Sequence, residues 1–98
     1  MFKIFKSVDE KFKDIGFKKV ADSEYCVAYE RKDKKYHFTQ MLTILHKKSG
    51  RHIVQSYDLN LFDIKNIGNT CVGLTYYEMK LVSKKMRQKK WHKKWKGE

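Results

Sequence analysis

The chain has 98 residues, of which 41% are hydrophobic and 35% are charged, and its formal net charge is +12. A chain of this length makes one domain, and its apolar content excludes a wholly disordered protein. No window approaches the roughly 18 apolar residues of a membrane span, and lysines interrupt the apolar residues at positions 1–6, unlike in a signal peptide. We therefore expect a cytoplasmic protein.

Near the N-terminus, apolar residues recur at helical spacing, at Phe2, Phe5, Val8, Phe12 and Ile15. Steps of three and four residues place these side chains on one face of a helix. Gly16 follows directly, which is typical of a glycine C-cap after which Phe17 folds back onto the last helical turn. The sequence predicts a helix that ends at Ile15 or Gly16, with a solvated opposite face that includes Asp9 and Glu10.

The middle of the chain carries three runs rich in aromatic and β-branched residues, at positions 25–29, 36–45 and 52–57. Polar turns at 31–35 and 47–50 separate them, a pattern that predicts an antiparallel β-meander. Residues 17–23 can add a short strand before it. The strand register stays open, because loops of several lengths fit around Gly50 and each pairs different residues.

A second helix is predicted near the C-terminus. Residues 58–74 fit a loop with one short element, either strand or helix. Thr75 and Glu78 then form a capping box, which predicts a helix from Tyr76 to about Lys90. Its apolar stripe is predicted at Met79, Val82 and Met86, and a separate cationic face at Lys80, Lys84 and Arg87.

These elements predict one α+β domain over residues 1–90. Its N-terminal and C-terminal helices are expected to pack on one face of a three- or four-stranded antiparallel sheet. Residues 91–98 are assigned to a basic C-terminal tail, which continues the last helix in one interpretation.

The positive charge is concentrated at the C-terminus. Residues 80–98 carry nine Lys or Arg residues against one acid, a net charge of +8. Such an asymmetry favours an anionic partner. Cations beside indole rings suit nucleic acid, because the cations contact phosphates while the rings stack on bases. The sequence therefore predicts a nucleic-acid-binding module whose candidate residues are Lys84, Arg87, Lys90, Trp91, Lys93, Lys94 and Trp95.

Two other interpretations fit the same basic segment. It can be a solvated helix whose tryptophans cover the end of the core, because a small domain needs its aromatic residues there. Alternatively, the basic face can dock on an acidic protein surface, and an exposed apolar patch away from the tail would favour such a partner. A membrane surface fits less well, because the apolar stripe is narrow for an interfacial helix.

The sequence lacks the common motifs of catalysis and cofactor binding, such as G-x-S-x-G, the Walker loop, G-x-G-x-x-G and H-E-x-x-H. His46 and His52 flank the second turn and are placed to approach across the hairpin, but no nearby cysteine or carboxylate completes a zinc set. Cys26 and Cys71 have no zinc-ligand spacing, and we expect free thiols, with Cys26 as a small core residue. We expect a non-enzymatic protein without a metal or cofactor.

The two predicted helices and the charged meander between them also resemble segments of known proteins. The opening helix ends in IGFKK at residues 15–19, and the closing helix contains GLTYYEMKL at residues 73–81 and ends near a tryptophan. This arrangement resembles small uncharacterised proteins of phages and mobile elements in Gram-positive bacteria. The resemblance implies a cytoplasmic, accessory role and no particular site residue, since those proteins share no established activity. The unusually basic tail departs from that pattern.

Overall fold

A computed structural model describes residues 6–35, 38–47, 49–59 and 71–91 of the chain. Its elements follow the order α1 (Val8–Asp14), β1 (Lys18–Asp22), β2 (Cys26–Asp33), β3 (Phe38–His46), β4 (His52–Asp58) and α2 (Tyr76–Gln88). The four strands form one antiparallel sheet in the order β1-β2-β3-β4. The predicted α+β class is thus confirmed. Most of the element expected within residues 58–74 lies outside the described residues.

Helix α1 is bounded by two local signals. At its start, the Ser7 hydroxyl accepts a hydrogen bond from the Glu10 N–H, and the Glu10 carboxylate accepts one from the Ser7 N–H, both at 3.1 Å. At its end, Gly16 has φ +97°, and the Phe17 N–H donates to the Phe12 carbonyl at 2.9 Å. This is the predicted glycine cap, so the predicted end of the helix is confirmed. The start differs from the prediction, because the helix begins at Val8 after the Ser7 cap, whereas the apolar periodicity begins at Phe2. Phe2 and Phe5 lie outside the described residues. The sequence S-x-x-E at Ser7 and Glu10 is the local signal for this start.

The first strand of the hairpin between β2 and β3 is longer than the sequence predicts. β2 runs through Asp33, so residues 31–33 are paired strand and not turn. The reason is that Arg31 and Lys32 pair with Gln40 and Thr39 of β3, although their charge makes them look like turn residues. At the second turn, Gly50 has φ +93°, as the glycine turn predicts.

Helix α2 begins as predicted and ends early. The Thr75 hydroxyl accepts from the Glu78 N–H at 3.0 Å, and the Glu78 carboxylate accepts from the Thr75 N–H at 2.8 Å, which confirms the capping box. The helix stops at Gln88 because Lys90 takes φ +63°, in the left-handed region. The chain therefore leaves the helix before Trp91, and residues 92–98 lie outside the described residues.

The predicted apolar stripe of α2 is wrong at one end. The buried residues of this helix are Glu78, Leu81, Val82 and Lys85, whereas Met79 is 50% exposed. Two charged residues thus lie on the inner face, and each has an oppositely charged partner inside the fold. An apolar pattern cannot find such an inner face.

One hydrophobic core joins the helices and the two central strands. It consists of Phe12, Phe17, Val27, Tyr29, Leu42, Ile44, Leu81, Val82 and Trp91. The Phe12 ring stacks on Tyr29 with 4.1 Å between centroids. Trp91 belongs to this core, so the predicted boundary between a domain at 1–90 and a tail at 91–98 is wrong by at least that residue. Cys26 and Cys71, which both lie in described segments, form no disulfide, and no described helix is long and apolar enough to cross a bilayer.

Candidate functional site

The cations of the described segments fall into two groups according to their partners. The first group forms ion pairs with carboxylates within 3.0 Å, in the pairs Lys6–Asp14, Lys19–Asp9, Lys19–Asp22, Arg31–Glu78, Lys85–Asp9 and Lys89–Asp22. The second group forms no ion pair within the described segments and is largely exposed; some of its members lie on α2 and the adjoining side of α1, and others, such as Lys18, Lys32 and Lys34, lie on the sheet and on the turn after β2. This division separates charges that hold the fold together from charges that are available to a partner.

Asp9 is the centre of the first group. Its carboxylate accepts hydrogen bonds from the Tyr29 hydroxyl at 2.6 Å, from Lys19 Nζ at 2.8 Å and from Lys85 Nζ at 3.0 Å. Partial burial pushes the pKa of Asp9 upward, but the bonds from Lys19, Tyr29 and Lys85 outweigh it and lower the pKa to about 2. Burial, with the bond to Asp9, raises the pKa of Tyr29.

The expectation of a solvated Asp9 is therefore wrong. Its partner Lys85 is 76 positions away in the sequence, so no local pattern indicates the contact. Lys85 has only 4% of its side chain exposed, and Asp9 is the carboxylate that compensates its buried charge.

A second polar centre lies around Arg31. Its guanidinium pairs with Glu78 at 2.9 Å, donates to the Gln40 side chain at 2.7 Å and to the Ile15 carbonyl at 3.0 Å, and lies 4.2 Å from the Phe17 ring centroid. Glu78 also caps the start of α2, so this centre ties the sheet to both helices. Its groups are engaged with one another, which indicates a structural role.

Three members of the second group lie together on the outer face of α2. Lys80, Lys84 and Arg87 are all exposed, and within the described segments none of them has a carboxylate partner. The ammonium group of Lys11, on α1, lies beside Lys84 and lowers the pKa of Lys84, and Lys80 adds to this effect. We call Lys80, Lys84, Arg87 and Lys11 the cationic patch.

The patch contains two residues of the site that the sequence predicts, Lys84 and Arg87. Lys84, Arg87 and Lys90 are exposed, as a phosphate contact requires. Lys93, Lys94 and Trp95 lie outside the described residues, so their roles stay predictions. Lys80 belongs to the patch because of its helical spacing to Lys84. Lys11 belongs to it because α1 packs beside α2.

The predicted stacking role of Trp91 is wrong. Its side chain is 2% exposed, and its indole N–H donates to the Glu24 carbonyl at 3.2 Å. The ring stacks on His46 with 5.4 Å between centroids. The cause is the left-handed conformation of Lys90, which turns the chain after α2 and brings Trp91 onto the core. Trp91 therefore covers the end of the core, as the alternative interpretation of the basic segment expects.

His46 and His52 approach across the second hairpin, with their ring centroids 5.1 Å apart. Both stack against Trp91. In the part of the chain that the structure describes, no three His, Cys, Asp or Glu side chains gather as a metal site would require. The pair therefore contributes aromatic packing at this end of the sheet.

Two surface grooves flank the helices. One, of about 540 Å³, is lined by residues of α1 and β1 that include Asp9, Lys13 and Lys19. The other, of about 350 Å³, is lined by Val54, Leu74, Met79 and Val82. The described lining residues of both grooves include no His, Cys or Ser. Comparisons with protein-family models, with curated proteins and with solved structures found no match for this chain.

Proposed function

We propose that this protein binds nucleic acid through the cationic patch on the outer face of α2. The observation that carries the proposal is the set of exposed cations Lys80, Lys84 and Arg87, which have no carboxylate partner in the described segments. In the same part of the chain, cations that bond to Asp9, Asp22 or Glu78 are withdrawn from such a role. An exposed cluster without counter-charge is the electrostatic footprint of a polyanion partner.

The orientation of the helices supports this assignment. We infer that both helices cover the sheet face that carries Val27, Tyr29 and Leu42, because Phe12 and Leu81 share a core with these residues. The side of α2 opposite to Leu81 and Lys85 then faces solvent. Residues 80–87 rise by about 10 Å along the helix axis, a length comparable to a few phosphates of one strand.

The contact between Lys84 and Lys11 adds a second argument. Two ammonium groups side by side repel each other, and this repulsion lowers the pKa of Lys84 in the free protein. An anion placed between them removes the repulsion and restores the pKa. A phosphate group has the charge and the hydrogen-bond acceptors for this position.

A salt series tests the proposal. Labelled single- and double-stranded DNA and RNA are titrated with the wild type, with a triple variant K80Q/K84Q/R87Q, and with a control K18Q/K32Q/K34Q that removes the same net charge from exposed positions outside α2. The wild type is expected to lose affinity steeply with salt. The triple variant is expected to bind more weakly and to lower the salt slope by about 2 for single strands.

Two results would contradict the proposal. Equal effects of the triple variant and its control would show that binding follows net charge and not this patch. Absence of binding by the wild type near physiological salt would remove nucleic acid as the partner.

The basic residues after Trp91 are tested by truncation. The cut belongs after Trp91 and not after Lys90, because removing Trp91 would empty part of the core. Thermal melting verifies that the shortened chain is folded, and we expect it to lose affinity for nucleic acid, since Lys93 and Lys94 are proposed to add phosphate contacts and Trp95 to add stacking. Unchanged affinity would restrict the interface to α2.

A second candidate function is docking on an acidic protein, as an interaction factor of a phage or mobile element would do. A specific observation favours it: Met79 and Val54 are 50% and 40% exposed and line the apolar groove of α2 and β4. A displayed library of acidic and apolar peptides would test it. Enrichment that depends on both Met79 and Lys84, together with no oligonucleotide binding, would favour this function over the first.

A further inference from the structure

Tyr76, the first residue of α2, is the most exposed large hydrophobic residue in the part of the chain that the structure describes, at 73%. The fold makes little use of its ring, because Thr75 and Glu78 cap the helix and the inner face begins at Glu78. Burial would normally be the role of a tyrosine ring, since it carries a large apolar area. A ring left in solvent at this position is therefore available to a partner.

The Tyr76 ring lies at the N-terminal end of the cationic patch. Tyr76, Lys80, Lys84 and Arg87 follow one another at steps of four, four and three residues. At about 100° per residue these four positions fall within an arc of about 80°, on the side of α2 opposite to Lys85. Lys80 Nζ lies 5.3 Å from the centroid of the Tyr76 ring, so an aromatic face and a cation are joined within one helical turn.

We propose that Tyr76 is a stacking platform for an unpaired base, and that the nucleic acid bound by this protein is single-stranded. This inference rests on the proposed function. A base inside a duplex is already stacked on its neighbours, whereas a base of a single strand can stack on an aromatic side chain. Lys80 lies over the ring, which keeps its ammonium group within reach of the phosphate next to the stacked base. Lys84 and Arg87 continue the phosphate contacts along the helix.

Tyr76 thus takes the role that the sequence predicts for Trp91. Base stacking needs an exposed ring face, and the two rings are 73% and 2% exposed. Both candidates combine an aromatic ring with neighbouring lysines. Only the position in the fold distinguishes them.

The test compares Tyr76→Ala with the wild type on one oligonucleotide in single-stranded and in duplex form. Loss of one stacked base is expected to weaken single-strand binding by about 5- to 100-fold. The salt slope stays unchanged because no phosphate contact is lost. Tyr76→Phe restores the ring and recovers most of the affinity, whereas Tyr76→Leu keeps an apolar side chain without a ring and does not.

Tyr25→Ala is the matched control, because Tyr25 is also exposed, at 42%, but lies outside α2. It should change single-strand affinity by less than about twofold. Circular dichroism melting of each variant verifies that the fold is kept.

The outcomes separate this inference from the proposed function. If Tyr76→Ala binds single strands like the wild type while K80Q/K84Q/R87Q binds weakly, the stacking inference is refuted and the proposed function stands. If Tyr76→Ala weakens duplex and single-strand binding equally, the stacking inference is also refuted. If the wild type binds no oligonucleotide, or binds acidic peptides instead, both are refuted.

Discussion

The pair formed by Asp9 and Lys85 leads to an unusual stability prediction, because its members are buried to very different extents. Their side chains are 32% and 4% exposed, respectively. Asp9→Asn removes the compensating charge and leaves the buried ammonium group with Gln88 as a neutral partner at 2.9 Å. Lys85→Met removes the buried cation, while Asp9 keeps Lys19, Tyr29 and contact with solvent.

The two substitutions should therefore have unequal costs. Leaving one charge of a buried pair uncompensated costs about 3–5 kcal/mol, and the bond to Gln88 places Asp9→Asn near the lower end, at about 3 kcal/mol. Lys85→Met replaces a buried charge with an apolar side chain of similar length, so we expect a cost of about 1 kcal/mol. The loss of the more exposed partner is thus predicted to be the more harmful.

The same pair also leads to a prediction for how the free energy of unfolding depends on pH in acid. The pKa of Asp9 is about 2 in the folded protein, below its ordinary value of 3.8. A carboxyl group whose folded pKa is lowered contributes stability above its unfolded pKa, and that stability is lost as the pH falls towards 2. The contribution is about 1–2 kcal/mol once solvent screening is allowed for. Asp9→Asn should abolish this part of the acid dependence.

Urea unfolding followed by tryptophan fluorescence measures these free energies for the wild type, both single variants and the double variant. Asp14→Asn is the control, because Asp14 pairs with Lys6 at the surface, where the side chains are 49% and 57% exposed, and we expect a small effect. The reasoning is refuted if Lys85→Met destabilises the protein as much as Asp9→Asn does. It is also refuted if Asp9→Asn keeps the wild-type loss of stability in acid.

Substitutions at three further positions test individual features of the fold by thermal or urea unfolding. Trp91→Ala removes a large core side chain and should cost about 3–5 kcal/mol, and a cost below about 1 kcal/mol would contradict its burial. Gly16→Ala should cost about 1–2 kcal/mol, because φ is +97° and the added Cβ would lie 3.1 Å from Arg31 Cδ. An alanine that stabilises the protein would show that this cap geometry is wrong. Thr75→Ala should cost about 1 kcal/mol through the lost cap, with Thr75→Ser close to the wild type, and equal stability of all three proteins would contradict the capping role.

The end of α1 and the start of α2 could be predicted because their determinants are local. Gly16 closes α1, and Thr75 with Glu78 opens α2, each through bonds that span five residues or fewer. The runs that form the sheet were also evident, since aromatic and β-branched residues mark them. The strand register could not be predicted, because it depends on the lengths of the turns and on the pairing of Arg31 with β3.

The inner face of α2 could not be predicted, because charged residues occupy part of it. Lys85 and Glu78 are buried only because Asp9 and Arg31 reach them from distant parts of the chain. A lysine in a helix is normally solvated, so the sequence pattern favoured the wrong face. The same long-range packing decided the position of Trp91.

The candidate site was predicted in part. Lys84 and Arg87 follow from helical spacing, which identifies a cationic face from the order of the residues alone. Lys11 requires the packing of α1 beside α2, as its effect on the pKa of Lys84 indicates. The sequence marks Tyr76 only as the first residue of a helix, although its spacing to Lys80 is visible there. Its exposure is the additional fact that the fold supplies.

Amide chemical-shift mapping by NMR tests the central claim most directly, because it locates the bound strand on the protein. The isotope-labelled full chain is titrated with a short single-stranded oligonucleotide at low salt and then at physiological salt. The account predicts shift changes that concentrate along residues 76–87 and at Lys11 and persist at the higher salt. Changes centred on the sheet, or their absence in α2, would contradict it.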